Sequence, residues 1–408
     1  MLWEARIEAN TWKLYTYWFF HNLILAYVIE RLYWQDRGMT VQMVVYTETI
    51  YAAIVILLEI PTGVLADRWS RKNLLVIGAL LACTEFAILI YARSFWHFAL
   101  AVAFAAVQRA LCSGTSNALL YDSLKTVDEE AGFERSLGRL RVFDHGASVL
   151  AALLGSLVAA RAGLETTYWL SLGSLVVSLV VSFLLIEPPR DCGIDIEPAS
   201  RQDLSFKAYV QEASQFFRQG PVVRYVLLAG VVVAATITYI DEFWQLYADA
   251  VAVPVVCFGM IQSSGLLVAT ATSAVAYKAR FWLNLQQVIA ITLTLVTIGT
   301  LMMSFTVSPG GLLLLIPLYA AAALTEPLIM GYLHHRADSF NRATIESSLS
   351  AVNRLATIAV GLVFGWVSTG WTIFAGFRLL GAFTGSYLLY YFLSMSLSTE
   401  ESAEKKPI

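Results

Sequence analysis

Gly63-Val64-Leu65-Ala66-Asp67-Arg68-Trp69-Ser70-Arg71-Lys72 is a polar stretch set between two long apolar runs. It reads as a short turn joining two membrane-spanning helices, since a span needs about 20 mostly apolar residues. Gly63 permits the close backbone approach that membrane helices make at small residues. Asp67 followed by Arg68, Arg71 and Lys72 puts one carboxylate among three cations on neighbouring turns of chain. Such a cluster can bridge to a nearby helix end and release it again, as a latch does. Short loops on the cytoplasmic side collect Arg and Lys in any membrane protein. That tendency accounts for the cations but not for Gly63, Leu65, Ala66 and Asp67 at their spacings.

Composition agrees. Of 408 residues, 58% are hydrophobic and 14% charged, against about 45–50% and about 25% for a soluble domain. The net charge of -3 says little about partners. Cys83, Cys112, Cys192 and Cys257 are scattered, three of them in apolar runs and none at metal-ligand spacing. Buried thiols are expected, with no disulfide, metal or other cofactor. No phosphate-cradling glycine loop, no Ser/His/Asp arrangement and no basic nucleic-acid face is present. ATP hydrolysis, enzymatic hydrolysis and nucleic-acid binding are therefore not expected. The first apolar run continues at spanning length without a small-residue cleavage site, so no cleavable signal is expected either.

Spans are expected near 13–35, 41–63, 74–93, 96–121, 138–160, 165–186, 221–247, 254–277, 284–306, 311–334, 345–367 and 371–396. All should be helices, because open strands leave backbone polar groups unsatisfied in hydrocarbon. An even number of spans puts both termini on one side. Arg68, Arg71, Lys72, Lys125, Arg135, Arg139, Arg141, Lys278, Arg280, Arg336 and Arg342 gather on the side of the Asp67 turn, whereas Arg31, Arg37, Arg93 and Arg161 lie near the opposite loops. The positive-inside rule then places both termini and the Asp67 turn in the cytoplasm. The expected domains are a six-helix bundle over 1–186, a linker over 187–220, a second bundle over 221–396 and a cytoplasmic tail over 397–408. Within the linker, Phe206, Tyr209, Val210, Ala213, Phe216 and Phe217 recur at helical spacing, which suits an amphipathic helix in the membrane interface or one that binds a partner.

The Gly63–Leu75 stretch resembles the signature loop of the major facilitator superfamily, Gly-x-Leu-Ala-Asp-Arg-x-Gly-Arg-Lys-x-x-Leu, with Ser70 in place of the second glycine. A faint repeat supports the resemblance: Glu30–Gly38 has a counterpart in Asp241–Asp249, and Glu134-Arg135-Ser136 has one in Asn341-Arg342-Ala343-Thr344. The resemblance implies an all-α membrane protein of twelve helices in two pseudo-symmetric six-helix bundles, working by alternating access. Glu59-Ile60-Pro61-Thr62-Gly63 and the run from Gly114 to Leu124 look like a bacterial efflux branch of that family. A bacterial inner membrane and a monomer in the bilayer are the implied setting.

Ionisable groups inside spans are costly and mark function. Here they are Glu30, Glu48, Glu59, Glu85, Asp144, Asp241, Glu242 and Glu326 against Arg109, Arg354 and Arg378. An excess of carboxylates favours protons or cationic substrates. By the resemblance, Glu30, Arg109, Asp241, Glu242 and Glu326 lie on cavity-lining spans and are candidates for substrate or proton coupling, as is Asp144 beside His145. Arg109 in mid-span looks like the family's proton-coupling arginine, although its spacing to Gly114 is one residue longer; a plain structural ion pair is the alternative. The antiporter motif of the fifth span is matched only at Gly146 and Gly155. Asp122 and Arg139 are expected to join Asp67 and Arg71 in a cytoplasmic gate with Gly63, Arg68 and Lys72. Tyr33, Trp34, Tyr239, Phe243 and Trp244 flank the carboxylates, as cavity aromatics for lipophilic cations or as an interfacial belt. Proton-coupled export of a lipophilic, cationic small molecule is the function this implies. Proton-coupled import of a polar nutrient, a transporter-like sensor or scaffold, and lipid flipping stay open.

Overall fold

The computed structural model describes residues 2–189, 221–279, 281–336 and 342–404, without the side chains at 59, 60, 63, 64 and 66–68 among others. All regular structure among the described residues is helical: α1 Leu2–Asn22, α2 Glu30–Asp36, α3 Val41–Arg68, α4 Arg71–Tyr91, α5 Phe95–Cys112, α6 Thr115–Thr126, α7 Phe133–Ala162, α8 Leu164–Leu184, α9 Pro221–Ala250, α10 Phe258–Ala279, α11 Leu285–Phe305, α12 Leu315–Arg336, α13 Arg342–Gly370 and α14 Ile373–Glu404. Eleven segments among the described residues are long and apolar enough to cross a membrane. The chain packs as two compact units, Met1–Ser200 with Pro254–Ser263 and Arg201–Val253 with Ser264–Ile408. The linker helix expected from Phe206 to Phe217 lies outside the described residues.

Capping chemistry sets several boundaries. Thr40 begins α3 by accepting a hydrogen bond from the Met43 N–H at 3.2 Å. Ser70 does the same for α4 through Asn73 N–H at 3.2 Å, so the serine that departs from the signature is a working N-cap. Asn284 and Gln287 form a capping box at the start of α11.

The stretch expected as one first span is broken. α1 stops at Asn22, whose side chain turns back to donate to the Trp18 carbonyl at 3.0 Å. Residues 23–26 are not helical, and the chain resumes through a short 3-10 turn into α2. Backbone groups freed inside hydrocarbon must find partners, and α8 supplies them. Ser171 Oγ accepts from the Ala26 N–H at 3.1 Å, Ser174 Oγ donates to Phe20 O at 2.7 Å, and Ser178 Oγ donates to Tyr17 O at 3.2 Å. On the other side Gly155 of α7 has no Cβ, and one built there would collide with the Leu25 carbonyl. The break is therefore a seated feature, with a serine stripe on one helix and a glycine on another.

The fourth span is also in two pieces. α5 ends at Cys112, and Gly114 takes φ +75 before α6 begins, a conformation that glycine adopts without steric cost. The Ser113 N–H donates to Arg109 O at 3.0 Å and Thr115 Oγ1 to Leu111 O at 2.7 Å, so the exposed carbonyls are reused.

Candidate functional site

Two groups of charged side chains stand at opposite ends of the first unit. At the end away from the Gly63–Lys72 turn, α2 presents Arg31, which is only 5% exposed. Its guanidinium lies 2.9 Å from Glu48 Oε1 and 3.9 Å from Glu30 Oε2. It also sits 4.6 Å over the Trp34 ring, which favours a cation by the ring's quadrupole. Glu85 on α4 interacts electrostatically with Glu30. Two carboxylates thus share one guanidinium, with Glu85 facing Glu30, and the group holds a surplus of negative charge where charge is expensive.

Further bonds fix this end. Arg37 donates to Ile90 O and Ala92 O at 3.2 and 3.0 Å and pairs with Glu165 at 2.8 Å. Tyr33 stacks on Tyr168 at 3.9 Å between centroids, and Trp34 Nε1–H donates to the Tyr168 hydroxyl at 3.2 Å. Tyr33 and Trp34 are each 1% exposed. In this conformation they are core, where the sequence suggested cavity wall or interfacial belt.

At the turn, Arg71 donates to the Asp122 carboxylate and to Ala118 O, the latter at 3.1 Å. Glu187, just past α8, straddles the start of α4. It accepts from Ser70 Oγ at 2.8 Å, from Arg71 N–H at 3.0 Å and from Lys72 N–H at 2.8 Å. A carboxylate on free N–H groups at a helix N-terminus is favoured by both hydrogen bonding and the helix dipole. Gly63 lies within α3, and the side chains of Asp67 and Arg68 lie outside the described residues. Arg139 does not join Asp122. It is exposed and faces a cavity of about 380 Å³ whose lining includes Glu8, Trp12, Ser123 and Glu129. Replacing Glu187 with glutamine should lower the detergent-solubilised protein's unfolding free energy by about 1 kcal/mol, the worth of a helix cap. Thermal unfolding followed in parallel with Ser70→Ala would check it.

The remaining candidates are placed as follows. Arg109, in the last turn of α5, is exposed and forms no ion pair among the described residues. Glu30 has Arg31 beside it, and no bond joins Glu30 to Arg109. Asp144 lies 3.5 Å from Arg141 one turn earlier on α7. In the second unit, Asp241 accepts a hydrogen bond from the Tyr319 hydroxyl at 2.8 Å. Glu242 is half-buried, and Glu326 is exposed directly before Pro327 within α12. Tyr239 donates to Thr357 O at 2.8 Å. Tyr239, Phe243 and Trp244 are 3%, 0% and 2% exposed, so they too are core. Among the described residues no His, Cys, Asp and Glu side chains group as metal ligands.

Sequence reasoning missed Arg31 and Glu187. Arg31 reads as a loop cation at the end of an apolar run, and Glu187 as the first polar residue of a linker. Glu48 and Glu85 carried a signal, being carboxylates inside spans, but without a partner in view.

Comparison with known proteins completes the description. A stretch of 190 residues is 20% identical to an uncharacterized MFS-type transporter, YfiS, of Bacillus subtilis (strain 168), and covers 47% of this chain. A stretch of 137 residues is 26% identical to an uncharacterized transporter of Buchnera aphidicola subsp. Schizaphis graminum (strain Sg). These matches span 43% and 34% of the relatives' own lengths. Among solved structures, the nucleoside transporter NupG superposes with a TM-score of 0.70 at 13% identity, over 97% of this chain and 99% of its own. A bacterial homolog of the human lysosomal transporter Spinster superposes with a TM-score of 0.69 at 13% identity, over 96% of each chain. The Major Facilitator Superfamily model matches residues 15–361, and this multi-pass membrane transporter belongs to that family.

Proposed function

We propose that this transporter exports lipophilic, cationic small molecules in exchange for protons, by alternating access across a bacterial inner membrane, as a monomer with both termini in the cytoplasm. The observation that carries the reading is the Arg31 group: one guanidinium between Glu48 and Glu30, with Glu85 close by. Ionisable groups gathered inside a membrane protein are the usual stations of a proton pathway. The Arg31 guanidinium can lean to Glu48 or to Glu30, according to which carboxylate carries the charge. A proton thereby becomes a change in contact between α2 and α3. The Arg71–Asp122 pair and the Glu187 cap are the contacts that hold the opposite end of the unit shut or let it go. Asp241, Glu242 and Glu326 supply the negative charge of the second unit for a cationic substrate.

The test uses inverted membrane vesicles and a fluorescent rhodamine ester, a flat lipophilic cation. An imposed proton gradient should drive its accumulation in vesicles with the wild-type protein, and Glu30→Gln should abolish the gradient-driven part. Equal transport with and without the gradient would remove proton coupling. A nutrient moving with protons while the dye stays still would turn the reading to import.

A further inference from the structure

Three charged residues that the transport reading leaves unused gather at one cavity of the first unit. Its volume is about 380 Å³, and Glu8, Trp12, Ser123, Glu129, Ser136 and Arg139 line it. Bonds between its walls fix their spacing. Asn10 Nδ2 donates to Ser123 Oγ at 3.0 Å, tying α1 to α6, and the Tyr15 hydroxyl donates to Ser136 O at 3.1 Å, tying α1 to α7. Trp12 meets Tyr15 edge-on at 5.4 Å, and Tyr15 stacks on Phe143 at 5.2 Å. Asp128 ends α6 in the left-handed conformation at φ +57, and the Glu129 N–H donates to Leu124 O at 2.9 Å. Glu129 is thus held at the cavity by a helix C-cap. Yet Glu8, Glu129 and Arg139 form no ion pair among the described residues, with one another or with other groups. Opposite charges that line one space without closing on each other suit a ligand that bears both signs and bridges them.

A guanidinium presents parallel N–H donors that fit a phosphate. Two carboxylates and the neighbouring hydroxyls accept hydrogen bonds from a primary ammonium, which has three N–H groups to give. The depth fits as well. The cavity lies where the apolar runs of α1 and α7 give way to charge, at Glu4, Glu8 and Lys13 on one helix and Glu134, Arg135 and Arg139 on the other. Trp12 stands at its rim, 62% exposed, and tryptophan favours the headgroup layer of a bilayer. We infer that this cavity holds the headgroup of a zwitterionic aminophospholipid, with the phosphate on Arg139 and the ammonium on Glu8 and Glu129. The inference does not depend on which substrate the transporter carries or in which direction.

Lipid retention tests this. The purified full-length protein is supplied with equal amounts of dioleoyl phosphatidylethanolamine, phosphatidylglycerol and phosphatidylcholine in mixed micelles. The lipid it keeps is then counted by native mass spectrometry. The wild-type protein should keep phosphatidylethanolamine in excess of the other two, since glycerol carries no cation and choline no N–H. Glu8→Gln with Glu129→Gln should cut that excess over phosphatidylglycerol by about fourfold, the scale of one or two partly exposed ion pairs. Its thermal unfolding should stay that of the parent, because both carboxylates are exposed. Arg139→Gln should lower retention of phosphatidylethanolamine, and Arg139→Lys should recover part of it. Equal retention of the three lipids by the wild type, or an excess unchanged in the carboxylate variant, would overturn the site. Free O-phosphoethanolamine should not displace the lipid at equal concentration; displacement would overturn the lipid as its occupant.

Discussion

Replacing Arg31 with leucine should destabilise the protein by about 3 kcal/mol, the scale of breaking a buried ion pair by removing one partner. The arginine is almost wholly enclosed, at 5% exposure, and answers both Glu48 and Glu30. Without it, two carboxylates face each other across α2 and α3 with Glu85 in reach and no cation between them. Left without it, they repel each other inside the protein, and the cost falls on stability. Thermal unfolding in detergent measures the effect. A second variant, Arg31→Leu with Glu48→Gln, removes cation and partner together and should recover part of the loss, because an ion pair deleted as a whole costs less than one left half made. A single variant as stable as the parent would mean that Glu30 and Glu48 do not depend on Arg31.

Gly155→Leu should be comparably damaging for a different reason. Even a bare Cβ at Gly155 would meet the Leu25 carbonyl, with Val28 Cγ1 at 2.9 Å. The neighbour in the way is backbone, so it cannot rotate aside as a flexible side chain would. Overpacked interiors lose typically about 1–3 kcal/mol and sometimes more, and this site belongs to the upper part of that range. Because the clash falls on the break in the first span, it should also displace residue 26 from Ser171. Gly155→Ala, Gly155→Leu and Ser171→Ala compared by thermal unfolding would rank the effects. Leucine should be worst, alanine intermediate, and the serine variant mildest, at about 1 kcal/mol for one hydrogen bond.

Much of the fold was legible because hydrophobic length is a strong signal. A helix that crosses a bilayer must be long, apolar and internally bonded, and the runs on either side of Gly63–Lys72 meet that demand. The break at 23–26 was not legible. Leu23, Ile24, Leu25 and Ala26 are as apolar as their neighbours, and the serine that receives the freed Ala26 N–H is 145 residues away. The signal was present as Thr167, Ser171, Ser174 and Ser178, spaced three or four apart on α8, but a stripe of small polar residues does not say which carbonyls it serves. The charged groups were legible one at a time and not as pairs. Arg109 drew attention because it stands in mid-span, while Arg31, at the end of a run, is the arginine with Glu30 and Glu48 beside it. The signature turn announced its own importance, yet the carboxylate that holds the start of α4 comes from Glu187, more than a hundred positions along the chain.

Glu187 is also where the chain departs from α8 toward the second half of the sequence. The side chain there is tied to Ser70, Arg71 and Lys72 through three hydrogen bonds, and Pro188 and Pro189 follow at once. Proline fixes its backbone torsion and lends stiffness to the segment. A movement of the backbone at 187–189 is therefore delivered to the first turn of α4 with little slack. The signature turn and the departure of the chain from α8 are thus one joint, and a change at Glu187, Pro188 or Pro189 should register at Arg71 before anywhere else in the first unit.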